Sequence, residues 1–268
     1  MVVVKEYRIT NNCTVEEYHI AQLFAVAKMS LQETGGGEGV EVAVNEPYDN
    51  EMGKGQYTKK IYYIKSHIPA IVCKVIPEDA LVLIEEAWNG YPHCKTILTN
   101  KYMKDSFKLI TETMHLPDRG ETENALGVDK SVLANRKVDF IDVADDSGLE
   151  SGQYKKTEDP KLYKSEKTGR GLLTEPNWRE TCEPHMTCYK LVTAEFKWFG
   201  LQTAVESFIH KKMRSMMIAF HRQLYSQTDE WYGMDMEKLR KYEDEVAKEL
   251  AEKRQKKSME NGKVNGKN

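Results

Sequence analysis

Lys190 stands in the alternating run Met186-Cys188-Lys190-Val192-Ala194-Phe196-Trp198. A strand turns every second side chain to the same face, so this ammonium points where its apolar neighbours point. A charge placed among hydrocarbon is costly unless an opposite charge meets it. The spacing therefore predicts a cavity that receives an anionic group. Other polar residues share the anomaly. Thr58, Lys60 and Tyr62 lie on one face of a strand-like run with Ile64, and Glu243 sits one turn from Leu239 and Val246 on a helix. Gln22 falls among Ala21, Leu23 and Phe24, while Thr96 and Thr113 place hydroxyls in strands. Each has an ordinary structural reading on its own: a strand end, a snorkelling side chain, a satisfied hydroxyl. Together they are the inventory for an amphiphile. Phosphate takes Lys and hydroxyl donors, and a polyhydroxyl head takes Glu, Lys and Asn.

Other chemistries are poorly supplied. Cys182-Glu-Pro-His185-Met-Thr-Cys188 offers three zinc ligands, but Cys188 belongs to the strand pattern and no fourth ligand is near, so no metal is expected. The glycine-rich segment 34–39 lacks the Lys-Ser/Thr pair of a phosphate loop and leads into a strand, which reads as a turn. An enzyme on a similar fold would have to use Glu243 or His115 as acid or base. No nucleophile–base pair is evident, so no catalytic residue is assigned and no cofactor is expected.

The elements that must position these residues can be read from periodicity. A strand over Val2–Ile9 precedes Thr14-Val-Glu-Glu17, a capping box that opens a helix reaching about Gln32. Strand patterns follow at Val40–Val44, Gln56–Ser66, Ala80–Trp88, Cys94–Asn100, Ser106–Met114, Val138–Val143 and Thr187–Phe199, with Asn89-Gly90 and Pro92 in a tight connection. The stretch Ala144–Pro184 has little periodicity and reads as a long functional loop. Two amphipathic helices close the chain, from about Leu201 to Gln227 and Met236 to Arg254. The expectation is one α+β domain over residues 1–254, a curved, largely antiparallel sheet gripped by long helices, with a mobile polar tail over 255–268.

Composition narrows the class. With 39 basic and 42 acidic residues the net charge is -3, which argues against a general nucleic-acid binder. No apolar run is long enough to span a bilayer, and the opening MVVVKEYRI is too short and too charged for a secretory signal. Five cysteines without framework spacing read as reduced thiols in a cytoplasmic protein.

The chain closely resembles the small, single-domain phosphatidylinositol transfer proteins. The resemblance rests on Val4-Lys-Glu-Tyr-Arg8, Asn45-Glu-Pro-Tyr48, Gly55-Gln-Tyr-Thr58, Ala87-Trp-Asn-Gly-Tyr-Pro92, Lys167-Thr-Gly-Arg-Gly171, Tyr189-Lys-Leu-Val-Thr193, Phe196-Lys-Trp-Phe-Gly-Leu-Gln202 and Phe220-His-Arg-Gln-Leu224. It implies a helix-grip, START-like fold enclosing one phospholipid, phosphatidylinositol or phosphatidylcholine, exchanged between membranes by a monomer. It also implies roles for residues. Thr58, Lys60, Asn89 and Glu243 would hold the inositol head; Gln22, Thr96, Thr113 and Lys190 would hold the phosphate. Trp198, Phe199, Ile71 and Val72 would dock on the membrane, with Phe199 standing where the family has a second tryptophan. Cys94 matches a thiol-sensitive cysteine and Ser165 a kinase-site serine, beside the acidic Glu166. Some blocks, including Ser165-Glu-Lys-Thr-Gly-Arg-Gly171, look more like the retinal-degeneration-B-type branch. That leaves a phosphatidic acid carrier, or a lipid-gated adaptor acting through the 144–184 loop, as alternatives.

Overall fold

Alternating side chains draw eight strands into one sheet. In chain order they are β1 (Val3–Asn11), β2 (Gly39–Asn50), β3 (Gly53–Tyr63), β4 (Val82–Gly90), β5 (His93–Asn100), β6 (Phe107–Leu116), β7 (Lys137–Ile141) and β8 (Met186–Phe196). Their order across the sheet is β2-β3-β4-β5-β6-β8-β1-β7. Every neighbouring pair is antiparallel except β1 and β7, which run parallel. The computed structural model describes the chain apart from residues 1–2, 34–38, 51–52, 64–76, 198–199, 201 and 266–268, and gives the backbone alone for 33, 39, 78–79 and 254–265. Ile71, Val72, Trp198, Phe199 and most of the glycine-rich segment therefore lie outside the described residues.

The helices are α1 (Val15–Glu33), α2 (Lys130–Asn135), α3 (Trp178–Thr181), α4 (Gln202–Ser226), α5 (Thr228–Trp231) and α6 (Met236–Asn265). The predicted capping box forms. The Thr14 amide donates to Glu17 Oε2 at 2.9 Å, and the Glu17 amide donates to Thr14 Oγ1 at 3.1 Å. Two orphan donors of the first turn are thereby satisfied. Helix α4 lies across β8 and β1, and α1 packs chiefly on α6. Between sheet and helices sits the core. Ile9, Met186, Cys188, Val192 and Ala194 are fully buried, as are Ala21 of α1 and Leu239 of α6.

Several boundaries depart from the periodicity. The helix expected to stop near Arg254 continues to Asn265, through most of the segment read as a tail. β2 runs six residues beyond Val44, carrying Pro47 in a strand at the sheet's end, where a missing N–H costs least. The irregular 144–184 stretch is tied down by side chains. Trp178 Nε1 donates to Asp142 Oδ1 at 3.0 Å, and Arg222, almost wholly buried, reaches the Val143 carbonyl at 3.0 Å and Asp159 at 3.3 Å. Among the described residues no helix is long and apolar enough to cross a membrane.

Candidate binding cavity

Cross-strand register assembles the polar residues. Gln56, Asn89, Cys94, Thr113 and Lys190 are successive partners from β3 to β8. The next same-face row is Asn45, Thr58, Ala87, Thr96 and Thr111, and the row after it Val42, Lys60, Glu85 and Leu98. Register partners present their side chains to one face, and residues two apart along a strand share it. Every polar residue selected on the strands thus points to one concave surface. Two local devices hold this arrangement. A bulge between Val42 and Val44 lets Asn45, three positions on, face the same way as Val42. Gly55 allows β3 to pass close to β4, since a Cβ there would sit 2.1 Å from the Asn89 carbonyl oxygen.

Helices α1 and α6 cover the open side, with Tyr18, Gln22 and Leu23 from the first and Arg240, Glu243, Val246 and Leu250 from the second. Phe220 of α4 closes the far wall. The partly open cavity measures about 300 Å³. Gln22, Thr58, Lys60, Asn89, Thr96, Lys190 and Glu243 all line it. Thr113 does not: its short side chain is buried, 4% exposed, within the row between Cys94 and Lys190.

The charges decide what the cavity can hold. Lys190 is half-buried rather than fully enclosed. Among the described residues neither it nor Lys60 has a carboxylate within 4 Å. The Lys190 charge is felt across the floor. Burial lowers His115 and His221 to about 3, and Lys190 adds to both shifts. Burial raises Cys94 and Cys188 to about 11, and there Lys190 opposes the shift. Both imidazoles are consequently neutral and both thiols protonated at pH 7.

The acidic side chains are already engaged. Glu243 Oε2 lies 2.5 Å from Arg240 Nη1, and Glu85 accepts the Tyr62 hydroxyl at 3.1 Å. Arg240 and Glu85 were not selected from the sequence, though both left a signal. Arg240 precedes Glu243 by one turn, and Glu85 alternates with Ala87 and Asn89 on their face. The lining charges among the described residues are Lys60, Lys190 and Arg240 against Glu85 and Glu243, an excess of one positive charge.

The two residues singled out as regulatory are both buried. Cys94 is 9% exposed and belongs to the Lys190 row. Ser165 is 2% exposed; its hydroxyl donates to Asp229 Oδ1 at 2.6 Å. Asp229 also accepts from the amides of Glu166 and Lys167 and from the Tyr163 hydroxyl, which holds its carboxyl down at about 2.

Comparison with known proteins points the same way. A family model described as phosphatidylinositol transfer protein matches residues 2–248. The phosphatidylinositol transfer protein beta isoform of Bos taurus is 48% identical over 264 residues, covering 97% of each chain. Phosphatidylinositol transfer protein 2 of Dictyostelium discoideum is 50% identical over 253 residues, covering 94% of this chain and 96% of that one. Protein retinal degeneration B of Drosophila melanogaster is 44% identical over 268 residues, covering 94% of this chain but 21% of that protein.

Proposed function

The chain belongs to the phosphatidylinositol transfer protein family, and from that premise we propose that it encloses one phospholipid, phosphatidylinositol or phosphatidylcholine, and exchanges it between membranes. The observation that carries the reading is the charge of the cavity. An excess of one positive charge, with hydroxyls and amides around it, matches a phosphodiester monoanion bearing an uncharged polyol.

The assignment of parts is carried over from the family resemblance, and most of the residues concerned line this cavity. Gln22, Thr96 and Lys190 take the phosphate, with Thr113 supporting Lys190 from its place in the row. Thr58, Lys60, Asn89 and Glu243 take the inositol hydroxyls, Glu243 as an acceptor steadied by Arg240. A choline head leaves those four groups without partners at about 1–3 kcal/mol each where water does not replace it. Phosphatidylcholine is therefore the weaker ligand, held through its phosphate.

Carriage needs no covalent step. Two acyl chains hold roughly 30 methylenes at about 0.8 kcal/mol each, so a bare lipid crosses water extremely slowly. The protein supplies a substitute apolar environment and breaks no bond, which calls for neither a cofactor nor a catalytic residue. Trp198, Phe199, Ile71 and Val72 enter the membrane interface, α6 moves aside, and lipid exchanges through the opened side. The protein works as a cytoplasmic monomer that visits membranes transiently.

The test is transfer of labelled phosphatidylinositol and phosphatidylcholine between vesicle populations by the purified chain, with mass spectrometry of the lipid that co-purifies. Exchange of both lipids, recovered chemically unchanged, is the expected result. No transfer of either lipid, or a hydrolysed product, overturns the reading.

A further inference from the structure

His115 lies outside every role assigned above, yet its ring is among the most constrained in the molecule. It is 1% exposed. Its Nδ1 lies 2.8 Å from the Pro92 carbonyl oxygen, which can only accept, so Nδ1 carries the proton and Nε2 is bare. The ring is packed against two tyrosines. Tyr91 stacks on it at 4.8 Å between centroids, Tyr18 lies against it at 5.1 Å, and the Tyr91 hydroxyl is itself fastened to the Val15 carbonyl of α1. The bare Nε2 is buried and has no hydrogen-bond partner among the described residues.

Register shows what stands beside it. His115 pairs with Cys188 and Thr113 pairs with Lys190, so His115 and Lys190 are diagonal neighbours on the concave face of adjacent strands. Such positions are within reach of a long side chain. Lys190 is in turn an ammonium with three N–H donors and no carboxylate within 4 Å among the described residues. The mutual field is evident in the lowered basicity of the ring, to which Lys190 is the largest contributor after burial.

Resting on the transfer function proposed above, we propose that His115 is a positioning residue for the phosphate site: Lys190 makes no hydrogen bond to Nε2 in this arrangement, but when a lipid phosphate binds the ammonium swings so that Nε2 accepts one of its N–H groups and the remaining ones are aimed at the phosphate. A neutral acceptor suits this task better than a carboxylate. An Asp or Glu at this place would cancel the charge that the phosphate must meet. Imidazole fixes the direction of the ammonium and leaves its charge intact.

The experiment compares wild type with His115→Phe, which keeps a planar ring but has no nitrogen, and His115→Gln, whose carbonyl oxygen can reach the place of Nε2. Loss of one hydrogen bond to a charged group corresponds to about ten-fold. His115→Phe should lower transfer of phosphatidylinositol and phosphatidylcholine by that factor and equally, because they share the phosphate site, and His115→Gln should restore both. Unchanged transfer by His115→Phe, loss of the inositol lipid alone, or no rescue by His115→Gln overturns the proposal. Should His115→Phe fail to fold, the ¹⁵N resonance of Nε2 in lipid-loaded protein decides. A scalar coupling across the hydrogen bond should join it to the Lys190 ammonium nitrogen, and absence of that coupling overturns the contact. If wild type transfers no phospholipid, the functional reading fails, while that coupling still decides whether His115 and Lys190 meet.

Discussion

Glu17 serves two partners with one carboxylate. Its Oε2 accepts the Thr14 amide of the capping box and also Arg170 Nη1 at 2.8 Å, while Oε1 takes Arg170 Nη2 at 2.9 Å. The start of α1 is thereby joined to the loop that also carries Ser165. Both side chains are mostly covered, so the pair is screened less than a surface bridge. Glu17→Ala should cost about 2–3 kcal/mol, combining a lost cap with a stranded guanidinium. Glu17→Gln, which keeps an acceptor for the cap, should cost about half as much. Urea denaturation at fixed pH measures both, and equal destabilisation by the two would rule out a shared carboxylate.

The two ends of the cavity should separate by lipid. On the proposed assignment Thr58→Ala and Glu243→Ala remove partners of the head alone, so transfer of phosphatidylinositol should fall ten- to a hundred-fold (about 1–3 kcal/mol) while phosphatidylcholine transfer persists. Lys190→Ala should lower both. Parallel loss of both lipids in Thr58→Ala would show that the head is bound elsewhere.

Stability should decline on mild acidification. His115 and His221 sit at about 3 in the folded chain, well below the usual histidine range. Between roughly pH 6.5 and 3 the unfolded chain binds protons that the native one refuses, so stability falls as pH falls through that window. Each histidine contributes a slope of up to about 1.4 kcal/mol per pH unit. His221→Gln removes one titration, and its stability measured from pH 6 to 4 should fall less steeply by about that amount. A slope identical to wild type would mean that His221 is protonated in the native state.

The Cys94 thiol, raised to about 11 by burial, holds on the order of one thiolate in a thousand at pH 8. Alkylation by iodoacetamide should therefore be far slower than in urea. Addition of lipid vesicles should accelerate it if docking opens the cavity. Labelling at the unfolded rate in buffer alone would place Cys94 at the surface.

Ser165 and Asp229 make a related prediction for the loop. With its hydroxyl buried against an acid, Ser165 can be modified only when the loop opens, so a kinase should act on urea-loosened protein far faster than on the native chain. Ser165→Ala should cost about 1 kcal/mol. Asp229, held at about 2 by its donors, adds stability that is complete above about pH 4 and lost as pH falls toward 2. Asp229→Asn should flatten that acid limb of the stability curve, and an unaltered limb would count against the bonded carboxylate.

Local features of the fold were legible in the sequence and distant ones were not. Thr14 and Glu17 announce α1 because a cap is settled within four residues. The face shared by Thr58, Lys60 and Tyr62 follows from the period of two. The parallel pairing of Lys5–Ile9 with Lys137–Ile141 left no such trace, since partners so far apart in sequence share no local pattern. Asn45 would point away from Thr58 by simple alternation, and only the bulge turns it inward. Thr113 carries the right residue type in the right row, yet it is not among the residues that line the cavity. Alternation gives the face of a strand but not which positions on that face border the open space.

The place of β1 has a consequence for how the molecule is made. This first of the eight strands finds its neighbours in β8 and β7, both far downstream, and the cavity gains its last wall only with α6. Pairing at such separation is slow. A nascent chain that has extruded β2 to β6 presents an apolar half-shell with β1 still unmatched on one flank, a state suited to chaperone capture. A chain that stops short of α6 lacks one wall of the cavity, so cargo is held only once that helix is in place.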